Sequence, residues 1–274
     1  PMLNSKKVKV TDHQVHYWEG GQGLPILMLH GVGPGTSIIS NFGPILDSLA
    51  KHSHVFAADL IGFGGSERKT KPPFFDIDLW VEQALRMIDE VLPPGPCGIA
   101  GHSLGGALAL KTASRSSRVK CVLTSSSIGT TYPMNDALSS FWTLPETPEK
   151  LEISMTKMVS NPEALTAEMV NQRWDMLQKN GYADYFGEMF APPRQQYLDA
   201  AVLDPSELKG IVAKIVMLHG RDDKPCPASE TTMVLARSIP DSDIHLLGNC
   251  GHNLPRERPN DYLTAAIQLF GTGN

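Results

Sequence analysis

Between an apolar run at 97–100 and a run of small residues at 106–113, the chain places Gly101-His102-Ser103-Leu104-Gly105. The first run reads as a buried strand and the second as a helix, so the G-x-S-x-G motif falls at a sharp strand-to-helix turn. A serine thrust out at such a turn forces its own backbone into a strained conformation, with neighbouring chain passing close by. Glycines on both flanks remove the Cβ atoms that would clash. The N–H groups that open the following helix then face whatever reacts at the hydroxyl. A bare G-x-S-x-G marks an ordinary loop about as often as a site. Its place after a strand and before a helix makes Ser103 a candidate nucleophile.

The rest of the chain supplies a sheet for that turn. Strand-like apolar segments recur at 8–10, 15–18, 26–29, 55–58, 98–100, 119–123, 215–218 and 244–247. Several are apolar throughout rather than alternating, as in strands covered on both faces of a mostly parallel sheet. Trp80, Ala84, Leu85, Met87, Ile88 and Val91 recur at helical spacing and stop at Pro93-Pro94, and further helices read at 107–113 and 262–270. Alternating β and α segments predict a doubly wound α/β architecture. The rhythm breaks from about 129 to 208. There, prolines punctuate short helical stretches at 149–159, 163–178 and 195–201, and the segment holds six of the eleven methionines. Trp142, Trp174, Tyr185, Phe186 and Phe190 fall there too. Residues 129–208 are therefore expected to form a helical lid inserted into a core made of 1–128 and 209–274. Such a lid packs side chains for its own stability, and its apolar underside roofs a pocket.

Composition excludes several classes. With 24 Lys and Arg against 29 Asp and Glu, the formal charge is −5, and no basic stripe exists to hold nucleic acid. The longest apolar runs have buried-strand length and cannot span a bilayer. The N-terminus carries no apolar leader, so a cytoplasmic enzyme is expected. Cys97, Cys121, Cys226 and Cys250 are dispersed without C-x-x-C spacing and read as reduced, structural thiols. His13, His16, His52 and His54 have no carboxylate or thiol at ligand spacing and no H-E-x-x-H is present, so no metal site is expected.

A serine hydroxyl needs a base, and the base needs an orienting group. After the strand at 215–218 comes His219-Gly220-Arg221-Asp222-Asp223, and after the strand at 244–247 comes Gly248-Asn249-Cys250-Gly251-His252. Both loops leave the same edge of a parallel sheet as Ser103, where such sheets place functional groups. His252 is the expected base, and either Asp222 or Asp223 the acid. An oxyanion hole needs two fixed N–H donors. Leu104 supplies one by position, and Val32 in the loop His30-Gly31-Val32-Gly33-Pro34-Gly35 the other, with His30 anchoring that loop. A phosphate-loop reading of those glycines fails, because Pro34 removes a donor, Thr36 replaces the last glycine and no Lys-Ser/Thr follows. Gly62-Phe63-Gly64-Gly65-Ser66 reads as a tight turn, with Asp59 and Ser66 holding backbone groups.

In these features the chain resembles the α/β-hydrolase fold enzymes along nearly its whole length. More narrowly it resembles the meta-cleavage-product hydrolases, which cleave a C–C bond in 2-hydroxy-6-oxohexa-2,4-dienoates. The resemblance rests on the 30–35 loop, on Asn41, on Phe190-Ala191-Pro192-Pro193-Arg194-Gln195 and on the acid and base loops. It implies an eight-stranded, mostly parallel twisted sheet with an inserted lid. Asp223 is then the acid, Arg194 holds a substrate carboxylate, and Gly31, Asn41, His102 and Asn253 contact substrate. The implied chemistry uses no metal or organic cofactor, and the implied assembly is a homodimer. Two departures stand out: His102 where the family's elbow has asparagine, and Asn253 where it has tryptophan. Both suit a carboxylesterase or lactonase using the same three side chains. A non-enzymatic ligand receptor on this fold is opposed by the intact Ser103, Asp223 and His252. A loop arginine beside two prolines is as often a surface residue as a clamp, so Arg194 is what separates these readings.

Overall fold

A computed structural model describes residues 2–271. Eight strands form one sheet: β1 (Asn4–Val10), β2 (His13–Gly20), β3 (Pro25–Leu29), β4 (His54–Ala58), β5 (Cys97–His102), β6 (Val119–Ser125), β7 (Lys214–Gly220) and β8 (Ser242–Leu247). Their order is β1-β2-β4-β3-β5-β6-β7-β8. Only the β1/β2 and β2/β4 pairs are antiparallel. The parallel strands run from β4 to β8 across the sheet. All eight strand-like segments of the sequence are strands, and β5, which leads into Ser103, lies between β3 and β6.

The continuous apolar runs follow from burial on both faces. Side chains alternate along a strand, so Leu27 and Leu29 of β3 enter one apolar cluster while Ile26 and Met28 enter the other. Helices α2 (Ile77–Glu90) and α3 (Leu104–Ala113) cover the first face with Trp80, Met87, Leu108 and Leu110. Helices α1 (Ile38–Leu49) and α12 (Pro259–Gly271) cover the second with Phe42, Ile45, Tyr262 and Phe270.

Helix α1 is not foreseen in the sequence, because Gly43 and Pro44 argue against one. Its apolar positions nevertheless recur at helical spacing, and Ser37 with Ser40 forms a capping box at its start. Pro44 has no N–H to give the carbonyl four residues back. The guanidinium of Arg256 donates to that carbonyl, Ser40 O, and to Ile39 O at 3.0 Å.

Between β6 and β7 lie α4 (Asp136–Phe141), α5 (Pro148–Thr156), α6 (Ala167–Gln178), α7 (Tyr182–Met189), α8 (Gln195–Ala200) and α9 (Pro205–Gly210). The sequence reading contains counterparts of α5, α6 and α8 but not of α4, α7 or α9. Apolar side chains of these helices, among them Phe141, Met155, Phe186 and Leu198, do not form a core apart. They join the cluster that also holds Leu29, Val32 and Trp80. Helix α10 (Thr232–Ser238) and the short α11 (Leu254–Glu257) follow β7 and β8.

The elbow is packed backbone against backbone. A Cβ on Gly101 would lie 2.0 Å from Gly105 O, and one on Gly105 would lie 2.5 Å from Leu29 O and 2.6 Å from His30 O. All of those atoms are main chain, of α3, β3 and the loop after it, and cannot swing aside as a side chain would. Gly105→Ala is therefore expected to lose about 3 kcal/mol or more, a fall in Tm of roughly 6–12 °C. A thermal melt within about 2 °C of the parent would contradict this packing.

Candidate active site

With β5 ending at His102 and α3 beginning at Leu104, Ser103 makes the reversal alone at φ +55° and ψ −120°. Such a conformation costs on the order of 1–3 kcal/mol in a residue with a Cβ. Main-chain bonds hold it: Ser103 N–H donates to Ser125 O at 2.9 Å, and Ser103 O accepts from Gly106 N–H at 2.9 Å and Ile128 N–H at 3.3 Å.

The ends of β5, β7 and β8 bring three side chains together. His252 Nε2 is 3.0 Å from Ser103 Oγ, and His252 Nδ1 is 3.0 Å from Asp223 Oδ2. A carboxylate only accepts, so Nδ1 carries the proton and Nε2 is left to accept from the hydroxyl. All three residues are buried. Burial opposes a charge on either Asp223 or His252, yet their mutual attraction outweighs it. Asp223, which also faces His219, is held well below the usual carboxylate range, and His252 is raised well above the usual imidazole value. A hydroxyl beside an imidazole whose far nitrogen is pinned by a carboxylate can attack a carbonyl carbon.

Neighbouring loops fix the imidazole. His252 N–H donates to Met158 O at 2.6 Å, just beyond α5, and His252 O accepts from Ser126 Oγ at 2.7 Å. Asp223 Oδ1 accepts from Cys226 N–H at 2.9 Å. The carboxylate of its neighbour Asp222 accepts from Ser160 Oγ at 3.0 Å, away from His252. His219 has a role that the sequence reading does not contain. Its Nε2 lies 2.7 Å from Cys226 O and 3.1 Å from Asp223 Oδ2, so Nε2 bears the proton and Asp223 faces two imidazoles. Among the described residues, Asp223, Cys226 and His252 could each offer a metal one atom within 4.8 Å of the others. Asp223 and His252 are already hydrogen-bonded to each other there, and His252 also to Ser103. Pairing invisible to linear spacing also occurs at His16, bound to Asp59 at 2.8 Å, and at His54, bound to Glu19 at 2.9 Å.

The loop after β3 lies against Ser103: a Cβ on Gly31 would be 2.9 Å from Ser103 Cβ. His30 anchors it by donating from Nδ1 to Gly31 O at 2.5 Å and accepting Leu60 N–H on Nε2 at 2.9 Å. Asn41 Oδ1 accepts Gly31 N–H at 2.7 Å, and Trp142 Nε1–H donates to Val32 O at 3.2 Å. Asp59 and Ser66 hold backbone groups around the 62–66 turn: Asp59 Oδ2 takes Gly65 N–H, and Ser66 Oγ donates to Asp59 O.

Gly31, Val32, Asn41, His102, Ser103, His252 and Asn253 line one small cavity of about 10 Å³. His102 Nδ1 is 2.8 Å from Ser125 Oγ, and its ring centroid is 5.1 Å from that of His252. Burial, and then the neighbouring His252, keep His102 neutral by lowering its pKa well below the usual value.

Arg194 is not brought into this cavity. Its Nε donates to Trp142 O at 3.2 Å, and the half-buried arginine follows the exposed residues 191–193 that lead into α8. The arginine that lines the cavity is Arg173 of α6. It is 8% exposed, donates to Thr36 Oγ1 at 2.9 Å and Pro34 O at 3.3 Å, and lies over the Phe141 ring at 5.7 Å. No carboxylate among the described residues pairs with it. Burial lowers its pKa to about 10, and the nearby charge of Arg256 adds to the effect. It remains a cation at neutral pH. The available signal was its spacing, three residues after Val170 and four before Leu177, on the buried face of α6.

Comparison with known proteins places this geometry. Residues 26–266 match the family model described as the alpha/beta hydrolase family. The 2-hydroxy-6-oxononadienedioate/2-hydroxy-6-oxononatrienedioate hydrolase 2 of Pseudomonas putida is 30% identical over 257 residues, covering 88% of this chain and 86% of that protein. The 2-hydroxy-6-oxo-2,4-heptadienoate hydrolase of Pseudomonas putida is 28% identical over 253 residues, covering 89% and 91%. Among solved structures, a mutant of the meta-cleavage product hydrolase from Pseudomonas fluorescens IP01, complexed with acetates, superposes with a TM-score of 0.93. It is 27% identical and covers 98% of both chains. With its eight-stranded sheet, its Ser103–His252 contact and this match over most of its length, the chain belongs to the alpha/beta hydrolase family.

Proposed function

We propose that the protein hydrolyses a C–C bond in a 2-hydroxy-6-oxohexa-2,4-dienoate-type ring meta-cleavage product. The observation that carries this reading is Arg173, a buried guanidinium without a carboxylate partner among the described residues, in the cavity that holds Ser103. An unneutralised buried cation is costly unless a ligand supplies the anion, and a guanidinium accepts a carboxylate through two parallel hydrogen bonds. The substrates named for the similar proteins are carboxylates of this kind.

The dienol first ketonises, losing the proton of its 2-hydroxyl and gaining one at C5. Ser103 Oγ then attacks the 6-keto carbon as His252 takes its proton, with Asp223 holding the imidazole. The N–H groups of Val32 and Leu104 stabilise the tetrahedral oxyanion. When the C5–C6 bond breaks, its electron pair flows along the conjugated chain to the 2-oxygen. That charge develops next to the carboxylate, where Arg173 stabilises it most in the transition state. Protonation gives a 2-hydroxypentadienoate, and water activated by His252 releases the acyl group from Ser103. Asn41 orders the oxyanion loop, and Gly31, His102 and Asn253 complete the wall around the substrate. Arg194 supports Trp142 rather than the carboxylate. Residues 129–208 act as the cap over the 1–128 and 209–274 core, and Arg173 is a cap residue.

A cytoplasmic setting fits four buried free cysteines, and no helix among the described residues is long and apolar enough to cross a membrane. The open edge of β8, with Ile244 and Leu246 exposed, suits a homodimer. A second reading, a carboxylesterase or lactonase, is favoured by His102 and Asn253.

Two experiments test these assignments. Decay of the coloured dienoate is followed beside hydrolysis of p-nitrophenyl acetate. Arg173→Gln is expected to lower dienoate kcat/KM by about 100-fold, the worth of a charged hydrogen-bond pair, and ester kcat/KM by under about threefold. Persistence of the dienoate with the parent protein while the ester turns over removes the C–C reading. Loss of dienoate activity in Arg194→Gln with none in Arg173→Gln reverses the two arginines. The second experiment is a pH profile. A base must be neutral to accept a proton, so kcat/KM falls on acidification through the His252 pKa, which lies above the ordinary value of about 6.5. Asp223→Asn removes the charge that raises it, moving this limb to lower pH and cutting kcat by about 10⁴. A limb left in place would deny Asp223 the role.

A further inference from the structure

The space at Ser103, about 10 Å³, holds about one water, yet a cleft of about 790 Å³ lies against it. Arg173 and Asn253 line both, so they form the shared wall. The cleft has an apolar side made by Trp18, Ile39, Met155, Met169 and Met176. At the shared wall it carries a second guanidinium, Arg256 of α11, close enough to Arg173 for their charges to repel.

Neither arginine has a carboxylate partner among the described residues. Arg256 donates from Nε to Ser40 O and from Nη2 to Ile39 O, both carbonyls of α1. These bonds fix its position but leave its charge unneutralised. Of the acidic groups on the cleft, Asp59 is occupied by His16, Ile38 N–H and Gly65 N–H, and Asp175 has no ion-pair partner among the described residues. Lys179 adds a third cation. Two like charges, one of them almost fully buried, set beside a wall of flexible thioethers, match an anion with an apolar chain.

Resting on the carboxylate substrate proposed above, we propose that this cleft is a receiving site for amphipathic carboxylates. Arg256 binds the incoming carboxylate while the chain lies on the methionine wall, and the anion then passes to Arg173 at the shared wall as the scissile carbonyl reaches Ser103. The same site takes the dienoate product on its way out, so simple dienoate anions compete with substrate there.

The test uses Arg256→Gln, which keeps an N–H donor for Ser40 O without the charge, and Arg256→Lys, which keeps the charge. The reading is the ratio of kcat/KM for the anionic dienoate to kcat/KM for neutral p-nitrophenyl acetate. At low ionic strength that ratio is expected to fall about tenfold in Arg256→Gln and to stay within about twofold of the parent in Arg256→Lys. Salt should erase the difference. A ratio unchanged in Arg256→Gln, or lowered equally by both substitutions, overturns the proposal and leaves Arg256 as a brace for α1. Binding of hexa-2,4-dienoate to Ser103→Ala, measured by calorimetry, separates this idea from the reaction itself. Affinity that drops about fivefold or more on adding Arg256→Gln supports the receiving site even if no dienoate is cleaved. Affinity that is indifferent to that substitution counts against the site even if C–C cleavage is confirmed.

Discussion

The site depends on one strained residue. Ser103 holds φ +55° because its N–H and carbonyl are tied to β6, to the first turn of α3 and to the segment after β6. The strain persists because main chain packs closely at both flanking glycines. Gly101 meets Gly105, and Gly105 meets the end of β3. That packing aims the hydroxyl out of the sheet edge and sets the loop carrying Val32 beside it. The fold thereby holds the hydroxyl in place before any ligand arrives, as the proposed chemistry requires, because fixed dipoles act on a developing charge without reorganising.

Around that point the charges are arranged asymmetrically. Asp223 sits behind His252 with a second imidazole, His219, on the same oxygen, so the anion is stabilised where it must remain ionised. His102, within one ring's reach of His252, stays neutral and adds no competing positive charge. The cations lie where the cavity meets the larger cleft: Arg173 lines both spaces and Arg256 lines the cleft. In the proposed function, a carboxylate held there directs the rest of the substrate toward Ser103.

Much of this was legible in the sequence, and the gaps have physical causes. The strands announced themselves because both sheet faces are buried, and the elbow because a G-x-S-x-G between strand and helix has few other uses. The two acidic neighbours could not be separated by linear spacing. Only the turn shows that Asp223 points inward while Asp222 reaches Ser160. Helix α1 was hidden by Gly43 and Pro44, whose cost is met from elsewhere in the chain by Arg256. Arg173 was concealed by context. A motif beside two prolines draws attention to Arg194, while the buried arginine lies in a helix that reads as lid packing.

In the proposed chemistry Ser103 is the group that becomes covalently attached to substrate, with His252 as its activator. Labelling the intact protein with a fluorophosphonate and locating the adduct by peptide mass spectrometry tests this most directly. One adduct per chain on Ser103 is predicted, slowed by orders of magnitude in His252→Ala. An adduct on any other residue, or labelling of Ser103 at the same rate without His252, would contradict it.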